Sequence, residues 1–402
     1  MGPKKVGQGT YGCVYKPSLS CVDGSFDSSD QYVSKLMNYS RAVDEENVMT
    51  RVDEIDPNDV FHYPIVKFCQ SGFKPKVCTS CDEDDEECFA TCCNVKYTNT
   101  LLIYEDGGHD LTRYIQTNLS QPKNINNLPS FYLGLWRLFF GLFVMHNNDY
   151  YHLDIKPDNI IVKETSDSYD IRYIDFGIAK NVTDLDMGIP EGDTDVIFEN
   201  YIYQPQQAKL LRSDIIRFFS DLHKTRQDLA TKQARMKGTL HRFLDRGLTE
   251  KTKLGEFFPK LKGYYDNMSN DDYVKNVDED IDMFMSIDCR FFIRPIYTRI
   301  DVYMLGFCLK ALIADIRDSN PRGRDLEFTN RLDDLANDMN AMNISKRIGP
   351  RKAFTRYIKM AGNIYGVNMT PKYHEAVKLI PPERQRLFDA SLRRRRNRRL
   401  RK

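Results

Sequence analysis

Hydrophobic positions along the first third of the chain recur in two rhythms. Residues 2–36 alternate glycine-rich and β-prone segments, whereas residues 41–55 (RAVDEENVMTRVDEI) repeat their apolar positions at helical spacing until Asp56-Pro57 closes the run. Strand-like segments at 62–75 and 95–104 follow, so the expected order is three strands, one helix and two strands. From Leu128 onward the spacing turns helical, apart from short β-prone runs at 160–162 and 171–174. A small sheet domain followed by a mostly helical one is predicted. The most apolar stretch, residues 133–146 (LGLWRLFFGLFVMH), is too short to span a bilayer and is interrupted by Arg137; it reads as a buried helix. Residues 207–300 are highly charged yet keep helical spacing at Leu210, Leu211, Ile215, Phe218, Phe219 and Leu222.

Composition narrows the class. With 41% hydrophobic and 12% aromatic residues, a chain of 402 can bury one large core or two joined ones, which excludes wholesale disorder. The 58 Lys and Arg nearly balance 57 Asp and Glu, but residues 393–402 (RRRRNRRLRK) hold eight cations and no anion. The rest therefore carries a net −7, an acidic body with a basic tail. The opening MGPKKV lacks the apolar run of a signal peptide, and Val6 stands where a myristoylation motif wants Ser or Thr. An intracellular protein without a membrane partner is expected.

Candidate chemistry begins at residues 7–14 (GQGTYGCV), a G-x-G-x-x-G between two strand-like segments rather than between a strand and a helix. Gly7, Gly9 and Gly12 would let a hairpin backbone approach phosphates, and Val14 would press on a base. Lys35, in YVSKLM, offers an ammonium held on a strand that can bridge two phosphates. On the following helix Glu45 falls amid the apolar face of Val48, Met49, Val52 and Ile55, with Glu46 turned about 100° away. A carboxylate on an apolar face needs a cation, so Lys35 is expected to pair with Glu45, with Glu46 as the alternative. The fullest signal is HLDIKPDNIIV at 152–162 followed by YIDFGIAK at 173–180. Phosphoryl transfer needs a carboxylate to accept a hydroxyl proton and oxygen ligands for magnesium; Asp154 suits the first task, Asn159 and Asp175 the second. Lys156 can neutralise charge on the transferred group.

These motifs, in this order over residues 2–360, resemble the eukaryotic-type protein kinases. The resemblance implies an α+β, bilobal protein-kinase-like fold: a small antiparallel β-sheet N-lobe with one helix (1–106), and a larger, mainly helical C-lobe (107–362). A C-terminal extension would follow at 363–402. It places Gly7, Gly9 and Gly12 in the glycine-rich loop, Lys35 and Glu45 in the ion pair of the active state, Asp154 as catalytic base, and Asn159 and Asp175 as magnesium ligands. LLIYEDGG at 101–108 resembles the interlobe hinge. There the backbone of Glu105 to Gly107 would hold adenine, Tyr104 would guard the back pocket, and Ile161 would form the pocket floor beneath Val14 and Val33. ATP and Mg2+ are the implied cofactors. Lys156 in DIKPDN resembles the serine/threonine class, which implies protein substrates with Ser or Thr. Asp301 and Gly306 in DVYMLG look like the helix that anchors the catalytic loop, leaving an insertion at about 207–300. The short lead before Gly7, TYGCVYKP, VSKLM, the Tyr-x-Tyr-x-Pro at 201–205 and this insertion resemble kinases of nucleocytoplasmic large DNA viruses. That implies host cytoplasm, the viral factory or the virion as location.

The pattern breaks in two places. Leu153 stands where such kinases carry the arginine that receives an activation-loop phosphate, and Asp184, Asp186, Glu191, Asp193, Asp195 and Glu199 already make that segment negative. A constitutively ordered segment is expected. Gln206 or Gln207 replaces the glutamate that would pair with a late arginine, here Arg347, and the insertion is expected to compensate at that corner. The rival reading is a pseudokinase scaffold or packaged structural protein.

Two features lie outside this scheme. Cys78, Cys81, Cys88, Cys92 and Cys93 crowd the acidic loop 77–94, where four thiolates could hold structural Zn2+, pair as disulfides or remain reduced. The arginine tail suits non-specific contact with nucleic acid or an acidic partner.

Overall fold

The computed structural model describes residues 2–9, 12–74, 99–119, 127–181, 225–239, 278–282 and 289–385, with a few isolated positions between 205 and 276. They fall into two compact units. The first comprises residues 1–109 with 161–164 and 172–177; the second comprises 110–160, 165–171 and 178 onward.

In the first unit, β1 (Lys4–Gln8), β2 (Gly12–Lys16), β3 (Tyr32–Met37), β4 (Lys67–Gln70) and β5 (Thr100–Glu105) form one antiparallel sheet in the order β1-β2-β3-β5-β4. Between β3 and β4 runs α1 (Tyr39–Ile55). Asn38 starts this helix by accepting the Arg41 N–H at 2.9 Å, and Asp56 ends it by donating its N–H to Val52. Alternation gives the sheet two apolar faces. One buries Cys13, Tyr15, Leu36, Leu101 and Ile103. The other gathers Met37 and Leu102 with Ala42 of α1 and the flanking Ile65, Phe68 and Tyr104.

The β2–β3 connection lies on the first of these faces. Leu19 donates its N–H to the buried Ser34 hydroxyl at 2.9 Å, Val22 donates to the Gln70 carbonyl, and Cys21 forms a disulfide with Cys69. The sequence reading confined disulfides to residues 78–93 and so missed this one. It joins positions 48 apart that only the fold brings together. Cys78, Cys81, Cys88 and Cys92 lie outside the described residues.

Of the remaining strands, β6 (His109–Asp110), β8 (Ile160–Glu164) and β9 (Tyr169–Tyr173) are divided between the two units, whereas β7 (Tyr150–Tyr151) and β10 (Lys180–Asn181) belong to the second and pair with each other. The second unit is otherwise helical: α2 (Leu111–Tyr114), α3 (Leu128–Gly134), α4 (Trp136–Asn147), α5 (Cys289–Asp318), α6 (Gly323–Met339), α7 (Pro350–Tyr365) and α8 (Thr370–Lys378). By length and composition Leu128–Asn147 could cross a membrane, yet 72% of its most apolar window is buried inside the protein. It is the hydrophobic centre of this unit: Phe139 of α4 stacks on Tyr357 of α7 with ring centres 4.4 Å apart, and Tyr132 stacks on Phe328 of α6. At Gly306 the backbones of α5 and α6 come so close that a Cβ would lie 2.9 Å from that of Met339.

Backbone carbonyls line the corner around Arg347. This buried guanidinium donates to the carbonyls of Ala341, Met342 and Arg299 and lies 4.8 Å over the Tyr303 ring. The insertion reaches the same corner, where the buried Asp280 accepts the Ile344 N–H and Glu279 accepts from Asn343. Gln206 and Gln207 lie outside the described residues.

Candidate functional site

In the first unit the chemistry sits on β3, α1 and the segment after β9. Antiparallel pairing sets Val14 opposite Lys35 and Lys35 opposite Leu102, so the ammonium rises from the sheet face that α1 covers. Its Nζ donates to Glu45 Oε2 at 2.6 Å and stands 3.9 Å from Asp175 Oδ1. Glu45 Oε1 accepts the Tyr104 hydroxyl at 2.9 Å, so each carboxylate oxygen has its own donor. Glu46 is turned away from this cluster and its backbone carbonyl accepts from Thr50. Burial pulls the Lys35 pKa down, but Glu45 and Asp175 together outweigh it and the net shift is upward. Burial, then the Glu45 charge, push the Tyr104 phenol well above its usual value.

Glycines shape the backbone around these groups. Gly7 lies at an irregularity in the β1–β2 register, and Gly9 donates its N–H to Gly12. A Cβ on Gly12 would lie 2.7 Å from the Leu36 carbonyl oxygen, and one on Gly107 would lie 2.6 Å from Ile161 Cγ2. Glu105 ends β5 opposite Tyr32, and Val33 faces Tyr104.

The second unit holds the loop that follows β7. Asp301, fully buried on α5, accepts the N–H groups of His152 at 2.9 Å and Leu153 at 2.8 Å, and its Oδ2 lies 3.1 Å from His146 Nε2. Leu153 has φ of 64°, a left-handed conformation that a leucine adopts only when its surroundings hold it there. Asp154 follows, and its Oδ2 accepts from Lys156 Nζ at 3.1 Å and Asn159 Nδ2 at 2.7 Å. Asn159 Nδ2 also donates to the Asp154 backbone carbonyl, which turns the amide oxygen away from this carboxylate. The loop thus presents one carboxylate, one ammonium and one amide oxygen on a buried support.

One buried cluster escaped the sequence reading. His62 is fully buried, with Nδ1 2.9 Å from Asp56 Oδ2 and Nε2 2.7 Å from Asp53 Oδ1. The three-residue spacing of Asp53, Asp56, Asp59 and His62 was its only sequence trace. Ligand atoms of Asp53, Asp59 and His62 lie within 4.8 Å of one another, but both ring nitrogens already face carboxylates, so the cluster closes on itself through hydrogen bonds. It ties the end of α1 to β9: Tyr173 donates its N–H to Phe61, Arg172 donates to the His62 carbonyl, and the His62 ring meets Phe176 edge-on at 6.4 Å.

Residues 3–201 match the protein kinase domain family. The chain carries a protein kinase domain. The five-stranded sheet with α1, followed by a helical region, is consistent with the two parts of that fold. A similar protein is the serine/threonine-protein kinase SSN3 of Scheffersomyces stipitis, 24% identical over 196 residues, which is 48% of this chain and 42% of that protein. This chain therefore aligns with less than half of its relative's length. The kinase-domain match ends at residue 201, short of α5 and Asp301.

Proposed function

We propose that the protein is an ATP-dependent serine/threonine kinase that transfers the γ-phosphate to hydroxyls of protein substrates. The observation that carries this reading is the Asp154 cluster, where Lys156 and Asn159 both donate to one carboxylate oxygen on a loop hung from Asp301. That arrangement fixes the direction in which Asp154 meets a substrate hydroxyl. The hydroxyl oxygen forms a bond to the γ-phosphorus while the bridging bond to the β-phosphate breaks. The proton passes to Asp154 and ADP leaves with the bonding pair. Lys156 screens charge on the transferred group, and Lys35, held by Glu45, positions the α- and β-phosphates.

Bound magnesium would neutralise phosphate charge, and the hard oxygens of Asn159 and Asp175 are the donors suited to it. Asn159 commits its amide nitrogen to Asp154, which leaves Oδ1 for such a role. Val14, Val33 and Ile161 suit the walls of an adenine site, and the Glu105 to Gly107 backbone suits its polar edge. The serine/threonine preference rests on Lys156 and on the SSN3 resemblance.

Three finer assignments belong to the same proposal. The subfamily is that of kinases of nucleocytoplasmic large DNA viruses, on the strength of TYGCVYKP, VSKLM, the Tyr-x-Tyr-x-Pro and the insertion. The tail at 393–402 contacts nucleic acid or an acidic partner through charge. The Cys loop keeps its three readings, structural zinc, disulfides or reduced thiols, which a metal assay and a thiol titration on purified protein tell apart.

The deciding experiment is transfer of labelled γ-phosphate from ATP with magnesium to a basic generic protein and to the chain itself, beside Asp154→Ala. Transfer by the parent and not by the variant supports the kinase. Equal signals, or none from folded protein, favour a scaffold.

A further inference from the structure

Glu45 receives two donors from opposite directions, Lys35 Nζ on Oε2 and the Tyr104 hydroxyl on Oε1. Lys35 comes from β3 and Tyr104 from β5, on the sheet face toward α1. Glu45 is the single α1 residue on which the two converge, and its side chain is only 11% exposed. We propose that Tyr104 is a positioning residue whose hydroxyl locks Glu45 toward Lys35 and so holds α1 in register for phosphate binding. The proposal deepens the kinase reading and rests on it.

Three observations carry the inference. First, the bond is specific: a phenol at 2.9 Å from a carboxylate oxygen donates its only hydrogen, and charged acceptors strengthen such bonds. Second, the donor is permanent, since burial and the adjacent carboxylate keep the phenol protonated across any working pH. Third, the tether is intrinsic to one folded unit: β5 and α1 both belong to it, so the bond forms whenever they are folded. A phenylalanine would fill the same space among Ile65, Phe68 and Leu102, so the hydroxyl is the part that packing alone does not require.

Tyr104→Phe separates the two roles. Parent, Tyr104→Phe and Asp154→Ala are compared by hydrogen exchange over residues 39–55 and by steady-state transfer with ATP and a protein substrate each varied. The expected result is faster exchange in α1 alone and a kcat/KM for ATP lower by roughly tenfold, with KM for the protein substrate unchanged. Parental exchange in α1, or parental kcat/KM for ATP in an active parent, overturns the proposal. If the parent transfers no more phosphate than Asp154→Ala, the kinase reading fails by itself and the exchange comparison still decides the role of Tyr104. Tyr104→Met, which also lacks the hydroxyl, guards against a ring-specific packing effect and is expected to match Tyr104→Phe.

Discussion

Asp301 and Leu153 meet at 2.8 Å, where a fully buried carboxylate on α5 takes the N–H of a residue held at φ 64°. The same carboxylate takes the His152 N–H and faces His146, so one side chain compensates the strain of the turn that delivers Asp154. Asp301→Asn keeps the volume but replaces one acceptor oxygen with an NH2 that opposes an N–H. The expected cost is about 1–3 kcal/mol. Urea denaturation should show the lower midpoint, and phosphate transfer should fall further than the loss of folded protein accounts for. A variant with the parental midpoint would remove Asp301 as the support of this loop.

Lys35 and Glu45 allow stability and function to be separated. Lys35→Met leaves a nearly buried carboxylate with only the Tyr104 donor, at a cost of about 1–3 kcal/mol, and is expected to lower transfer by about a hundredfold or more. Adding Glu45→Gln removes the stranded charge while keeping an acceptor for Tyr104. The double variant should regain stability over Lys35→Met and regain no activity. Denaturant midpoints and transfer rates on the same preparations test this. Recovered activity in the double variant would mean that Lys35 serves the fold rather than the phosphates.

What the sequence made legible follows from range. The helix at Tyr39–Ile55 and the strands around it are local patterns, and the G-x-G-x-x-G, Lys35 and HLDIKPDN strings carry their chemistry at fixed short spacing. The Cys21–Cys69 disulfide was not legible, because it depends on a loop folding back over the sheet. The surroundings of His62 were hidden for a related reason: Asp53 and Asp56 reach its ring only because α1 ends at Ile55 and the chain turns back. Strand ends also moved. The reading at 62–75 shortened to Lys67–Gln70, since at its start Phe61 and His62 accept from Tyr173 and Arg172 of β9 and only from Val66 onward does the chain bond β5.

The insertion is fastened to the helical unit by Asp280. Its carboxylate is 1% exposed and accepts the Ile344 N–H at 3.1 Å, at the start of the turn that carries Arg347. Asp280→Ala strands that N–H and is expected to destabilise the protein by about 1–3 kcal/mol. Asp282, on the same stretch, bonds Lys237 instead, and Asp282→Ala should cost about 0–1 kcal/mol because this pair is partly open to solvent. Thermal unfolding of the two variants side by side tests the contrast. Equal small effects would mean that the insertion rides on the domain without supporting it.

His62 gives the fold a pH dependence with a definite sign. Burial lowers the imidazole pKa, but the hydrogen bonds to Asp53 and Asp56 and their charges outweigh it, so the folded value lies above the usual one. Asp59 and Arg172 also bear on this cluster, and Asp59 is itself raised, first by burial. With an unfolded value of about 6.5, the folded protein binds the extra proton in the window above it. The contribution is complete below about pH 6.5 and is lost as pH rises through the folded value. Urea midpoints of the parent should therefore decline as pH rises above about 6.5. His62→Gln should be less stable than the parent at pH 6 and should lack that part of the decline, so the two curves converge once pH has passed the folded value. Parallel curves for parent and variant would show that His62 stays neutral in the folded state.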